Sequence, residues 1–248
     1  MSQRLALVTG ATGGIGREIC LHLANAGDRV IALDLPSQET TAKNWSDELK
    51  QSTGHKIEVA SADVADFDSC QTMAETVLQQ FGTVTVLVNV AGITRDSTLV
   101  KMEQSMWDQV LRTNLDSMFN VTRHFIEPMI AEGFGRIVNI ASINGRKGQY
   151  GQTNYSAAKA GVHGFTMSLA QETAAKGITV NTISPGYVST PMVEAIREDI
   201  RQQIVEQIPV RRPAEPSEIA RVVSFLADND SGYITGANID VNGGLWMH

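Results

Sequence analysis

Two cysteines in 248 residues, Cys20 and Cys70, are too few and too isolated for a disulfide framework, and neither has the spacing of a metal or redox motif. They read as buried structural thiols of a reduced, cytoplasmic protein. Aromatic residues make up only 6% of the chain and prolines number seven, with no Pro/Ser-rich or Gly/Ser-rich stretch to mark a linker. A surplus of positive charge is also missing. The formal net charge of -7 argues against nucleic acid or an acidic membrane as partner, since both demand a basic surface. No apolar run approaches membrane-spanning length, and the amino terminus lacks the charged start and apolar core of a signal peptide. What remains is 42% hydrophobic residues, enough for a sizeable core. A single domain over residues 1–248 is therefore expected.

Short β-branched runs alternate with helix-length segments. Arg4–Thr9, Arg29–Asp34, Lys56–Ala60, Val84–Val90, Gly135–Ala141, Ile178–Ile183 and Ala237–Val241 read as strands. Strands separated by helices cannot pair as hairpins, so right-handed crossovers and a parallel sheet covered on both faces follow. The expected fold is α/β, a doubly wound, Rossmann-like parallel sheet, with ligands at the carboxyl edge of the strands. A helical pattern from Met192 to Gln207, within a segment of about 188–212, suits a flap over a substrate.

After the first strand comes Thr9-Gly10-Ala11-Thr12-Gly13-Gly14-Ile15-Gly16, opening a helix. A turn this tight needs residues without Cβ, and the helix start offers N–H groups to a pyrophosphate. Gly10, Gly14, Ile15 and Gly16 are the expected contacts of a dinucleotide. The second strand ends at Asp34, where such a fold holds the adenosine ribose. A carboxylate there accepts from both ribose hydroxyls but repels a 2′-phosphate at a cost of several kcal/mol. No Lys or Arg stands between Asp34 and Lys43 to offset it, so NAD(H) is expected over NADP(H).

Tyr155 and Lys159 fall at i and i+4 of a helical stretch and share one face. Moving a phenol from a pKa of ~10 to ~7 takes about 4 kcal/mol, part of which a neighbouring ammonium supplies. Ser142 follows the fifth strand and points toward the same edge, where its hydroxyl can polarise a carbonyl.

Thr9–Gly16, Asn89-Val90-Ala91-Gly92, Ser142 and Tyr155-x-x-x-Lys159 together resemble the short-chain dehydrogenase/reductase family over nearly the whole chain. The resemblance implies an oxidoreductase in which Tyr155 donates a proton to a carbonyl, while Lys159 lowers its pKa and binds the nicotinamide ribose. Asn114 would hold a water in a proton relay to the lysine. Asn89, Ala91, Gly92, Asp63 and Val64 resemble further dinucleotide contacts, although Asp63 reads equally as a residue starting a helix. Pro185, Gly186, Val188 and Thr190 resemble the loop that holds the carboxamide. Val90 departs from the pattern, since many members carry a second asparagine there.

Gly148–Ser156 and Val241–Leu245 look most like the acetoacetyl-CoA reductases, which often serve polyhydroxyalkanoate synthesis, and the chain also resembles 3-oxoacyl-(acyl carrier protein) reductases. By that likeness Asp96, Gln149, Tyr150, Gln152 and Tyr187 would line an acyl site. Arg95, Lys101, Arg146 and Lys147 are the cations nearest the motifs that could meet coenzyme A. An NAD-dependent secondary alcohol or hydroxy-acid dehydrogenase and a non-catalytic dinucleotide sensor are the alternatives. No metal is expected, and a homotetramer is implied by the family alone.

Overall fold

The computed structural model describes residues 3–190, 193 and 197–247. Its elements alternate: β1 (Leu5–Thr9), α1 (Gly14–Asn25), β2 (Arg29–Asp34), α2 (Glu39–Thr53), β3 (Ile57–Ser61), α3 (Phe67–Phe81) and β4 (Val86–Asn89) form the first half. The second comprises α4 (Gln104–Leu111), α5 (Ser117–Glu132), β5 (Gly135–Ile140), the short α6 (Asn144–Lys147), α7 (Thr153–Thr173), β6 (Ile178–Pro185), α8 (Glu198–Gln207), α9 (Pro216–Ala227) and β7 (Asn238–Val241). The strands pair in the order β3-β2-β1-β4-β5-β6-β7, all parallel, as the alternation predicts. From β1 the order runs outward in both directions, and that reversal opens a crevice between β1 and β4 at their carboxyl ends.

The two faces of the sheet are covered differently. Val86, Val88, Val138, Ile140 and Ile183 point to one side, where Ile19, Cys20 and Leu23 of α1 and Ile219, Val223 and Leu226 of α9 close a dry core. Leu87, Ile137 and Val180 point to the other, against Val121 and Phe125 of α5, Ala170 of α7 and Cys70, Met73 and Val77 of α3. Along β4, β5 and β6 this second face turns polar towards the carboxyl edge, at Asn89, Asn139 and Thr182, all buried. Hydrophobic burial at roughly 25 cal/mol per Å² thus holds the lower half of the sheet, and hydrogen bonds organise the upper half.

The expected strands are found with shifts of one or two residues at their ends, as hydrogen-bonded boundaries usually show. Both cysteines are free and buried, and burial pushes their thiols up, Cys70 to about 12, which leaves them inert near neutral pH. Among the described residues no helix is long and apolar enough to cross a membrane, and no group of side chains could hold a metal ion. Of the expected flap helix, α8 covers Glu198–Gln207, while 191, 192 and 194–196 lie outside the described residues.

Candidate active site

The glycine loop is shaped by close approach. Gly10 has φ +63°, and a Cβ there would stand 2.8 Å from the Ala91 Cα, so the first turn and the loop after β4 touch through backbone alone. Thr9 ties them further: its hydroxyl accepts from the N–H groups of Val90 (2.9 Å) and Ala91 (3.1 Å). At the start of α1 the N-cap is Gly13, and no side chain caps the helix. Its first N–H groups and the positive end of its dipole therefore face the crevice, which fits an anionic pyrophosphate.

Asp34 stands beside this loop, and Thr12 holds it there. Its Oδ2 accepts from the Thr12 N–H (3.0 Å) and hydroxyl (2.5 Å), and its Oδ1 accepts from the Leu35 N–H (2.8 Å). Sequence reasoning gave Thr12 no role, although a hydroxyl two residues past a turn glycine is a signal that could have been read. Arg17 donates to the Thr12 carbonyl (3.0 Å) and lies over the Trp45 ring.

Asn114 does not sit in a regular helix as its neighbours suggest. Residues Arg112–Asp116 form a π-helical turn between α4 and α5, the kind of irregularity that often marks a functional position. The bulge buries Asn114 completely and turns its Nδ2 onto the carbonyls of Ile93 and Val110, both at 2.9 Å. Its Oδ1 has no hydrogen-bond partner in the protein. A Cβ built on Gly92 would lie 2.5 Å from that oxygen and 3.5 Å from Lys159 Nζ, so the amide, the glycine and the ammonium converge.

Lys159 is 3% exposed and donates from Nζ to the Ile140 carbonyl at 2.8 Å. Burial draws its pKa down to about 8, so it remains positive at neutral pH. Tyr155, one helical turn earlier, places its ring centroid 5.7 Å from that Nζ. Here the expected sign is reversed. Burial pushes the phenol above its ordinary value, the hydrogen bond shared with Ser142 pulls it back in part, and the Asp96 carboxylate adds to the rise. Desolvation outweighs the Ser142 hydrogen bond, and Tyr155 is a neutral acid. Ser142, 8% exposed, also accepts the N–H of Asn144 at 3.1 Å.

A chain of side chains continues outward. Gln152 donates to Asp96 (2.9 Å) and accepts from Asn144 (2.9 Å), bringing two of the expected acyl-site residues into one network. Asn154, which sequence reasoning passed over, is fully buried; it accepts the Tyr155 N–H (2.8 Å) and donates to the carbonyls of Arg95 (3.0 Å) and Met106 (3.3 Å). Gln149 is engaged by Lys147 (2.8 Å), while Tyr150 is 87% exposed at the rim. Tyr187 is half-buried, which pushes its phenol up.

Other expected residues fall into the same edge with different partners. Pro185 ends β6, Gly186 donates to the Val241 carbonyl (2.9 Å), Val188 bridges to Ala214, and the Thr190 carbonyl accepts the Val193 N–H (2.9 Å). Asp63 forms a turn with the Ala65 N–H (2.9 Å); the residue that caps α3 is Asp66, accepting from Ser69 (2.7 Å). Val64 is buried, with its carbonyl taken by Asn120 (2.9 Å). The Asn89 side chain points into the sheet interior, to Asn139 (2.8 Å) and Thr122 (3.3 Å), rather than into the crevice.

Residues 4–201 match the family described as short chain dehydrogenase. The chain is similar to an acetoacetyl-CoA reductase of Allochromatium vinosum, 54% identical over 245 residues and covering 99% of both chains. It is 52% identical over 247 residues to the acetoacetyl-CoA reductase of Cupriavidus necator, covering 100% of each. A 3-oxoacyl-(acyl carrier protein) reductase of Haemophilus influenzae is 41% identical over 247 residues, again across 100% of both.

Proposed function

Since the chain belongs to the short-chain dehydrogenase family and is an oxidoreductase of that type, we propose that it reduces a 3-oxoacyl thioester at the expense of NADH, converting acetoacetyl-CoA to (R)-3-hydroxybutanoyl-CoA. The observation that carries the reading is the convergence of Ser142, Tyr155, Lys159 and Asn114 at the carboxyl edge of β4 and β5, beside an uncapped helix start. The names of the two acetoacetyl-CoA reductases support the substrate.

A nicotinamide dinucleotide, when bound, supplies the hydride. The backbone of Gly14, Ile15 and Gly16 would receive its phosphates, Asp34 its adenosine ribose, and Lys159 the nicotinamide ribose, with Gly92, Pro185 and Gly186 lining the far end. NADH is preferred because the Asp34 carboxylate already has Thr12 and Leu35 as donors and carries no cation that a 2′-phosphate could share. Ser142 donates a hydrogen bond to the ketone oxygen, and Tyr155 passes it the phenolic proton. A phenol held neutral by burial suits this direction, because reduction needs the acid form. Lys159 stabilises the phenolate left behind, and Asn114 Oδ1, which has no partner in the protein, would hold a water through which a proton returns from solvent to the Lys159–Tyr155 pair.

Asp96, Gln152 and Tyr187 flank the acyl group, and α8 closes over it. Arg95, Lys101, Arg146 and Lys147 meet the anionic thioester carrier. A tetramer assembled through the small-residue helix α7 is implied by the family, and Met167, half exposed on that helix, is apolar surface available to it.

Steady-state rates with acetoacetyl-CoA, acetoacetyl-carrier protein and a panel of secondary alcohols, each with NADH and NADPH, test the proposal. Acetoacetyl-CoA with NADH is expected to give the highest kcat/KM. A higher value with the carrier protein moves the substrate to the other thioester, and activity confined to alcohols overturns the reading.

A further inference from the structure

A row of buried polar side chains runs beneath the catalytic helix. Asn89, Asn139 and Thr182 stand side by side in the register of β4, β5 and β6, and none is more than 2% exposed. Asn89 donates to the Asn139 Oδ1 at 2.8 Å. Asn139 then donates from Nδ2 to the Thr166 hydroxyl on α7 at 2.9 Å, and the Thr182 hydroxyl donates to the same oxygen at 2.9 Å. Thr166, itself 1% exposed, is thus the acceptor on which two strands close.

The position of this contact gives it consequence. Asn139 is followed directly by Ile140, whose carbonyl holds Lys159 Nζ. Strand β5 therefore grips α7 twice from adjacent residues: Ile140 at Lys159 and Asn139 at Thr166, seven residues or ~10 Å further along the helix axis. Asn154 ties the start of α7 to the loop and helix above it, and the Thr166 contact extends the hold on the helix beyond Lys159. Together these contacts fix both its height and its rotation, and with them the direction of Tyr155 and Lys159.

We propose that Thr166, held by Asn139 and Thr182, is a positioning residue that sets the register of the catalytic helix so that Lys159 meets the Ile140 carbonyl. Loss of its hydroxyl takes the shared acceptor from two buried donors, Asn139 Nδ2 and the Thr182 hydroxyl, and α7 shifts away from β5 and β6 to relieve them. The Lys159 ammonium then gains water and its proton is held more tightly. Because Lys159 is catalytic only under the function proposed above, one readout must be independent of turnover.

The experiment uses the full-length enzyme with 13C-labelled lysine. In the parent, the Lys159 Cε resonance is expected to titrate near 8. In Thr166→Val the midpoint should rise by half a unit or more, kcat should fall about tenfold with the KM for NADH changed far less, and Thr166→Ser should restore both. Thr182→Val, which keeps the Asn139–Thr166 bond, should give a smaller shift in the same direction and serves if Thr166→Val fails to fold. An unchanged Lys159 titration in the variants, whatever their melting temperatures, overturns the inference. A shifted titration with unchanged turnover upholds it and instead removes Lys159 from the chemistry.

Discussion

Thr12 holds the carboxylate of Asp34 with both its N–H and its hydroxyl, at 3.0 and 2.5 Å, so the acidic residue at the end of β2 is fixed before any cofactor arrives. The negative charge cannot swing aside to admit a 2′-phosphate. Replacing Asp34 by Ala should raise the NADPH-to-NADH ratio of kcat/KM by about 10²-fold or more, since each ~1.4 kcal/mol of relieved repulsion is tenfold. Thr12→Val, which removes one of the three hydrogen bonds to the carboxylate and leaves its charge, should shift the ratio in the same direction by a smaller factor. Rates with the two cofactors under identical salt decide both.

Gly92 lies where a methyl group would meet Asn114 Oδ1 at 2.5 Å. Gly92→Ala should therefore push the amide out of its bulge and lower kcat by about 10–10²-fold, as misplacement near 1 Å commonly does. The KM for the thioester should change little. An alanine variant with wild-type turnover would show that the close approach has no catalytic role.

Tyr155→Phe removes the acid and leaves the ring. Reduction should fall on the order of 10³-fold while NADH still quenches intrinsic fluorescence with a similar Kd. Loss of NADH binding in this variant would point to a fold defect and away from proton donation.

Lys159 supplies a pH dependence of stability. Its pKa falls from 10.5 to about 8 on folding, so above pH 8 the unfolded chain binds the extra proton. The sign follows: below pH 8 the full cost of burying the ammonium is present, and raising the pH towards 10.5 relieves it. Relative to Lys159→Met, the wild type should gain stability across that window, by at most about 3 kcal/mol. Urea unfolding of both proteins at pH 7 and pH 10 measures the difference. A constant gap between them would contradict a buried, charged lysine.

The parallel alternation of strands and helices, the carboxyl-edge site and the Tyr155–Lys159 pair were legible because they rest on local patterns: alternation of β-branched runs, glycines at a turn, and i, i+4 spacing. Asn114 was legible only as an oddity. Its neighbours favour a helix, and nothing local announces that one extra residue is accommodated in a π turn. The direction of the Tyr155 shift also escaped, because it depends on how much water the folded cleft excludes, a property of packing between distant segments. Asn89 illustrates the same limit: a motif places it beside the cofactor loop, yet the strand pleat aims its side chain inward to Asn139. Asn154 and Thr166 were missed for that reason, since the carbonyls Asn154 holds and the strand residues that donate to Thr166 come from other elements of the chain.

The π turn at Arg112–Asp116 makes segment length as restrictive as residue identity. Deleting a single residue there would let α4 run into α5 as one regular helix and re-phase one flank against the other by about 100°. Either Asn114 would leave the cleft or Phe125 and Val121 would leave the core. Natural or designed variants can therefore exchange many side chains in this stretch, but they cannot shorten it by one position and keep both halves seated.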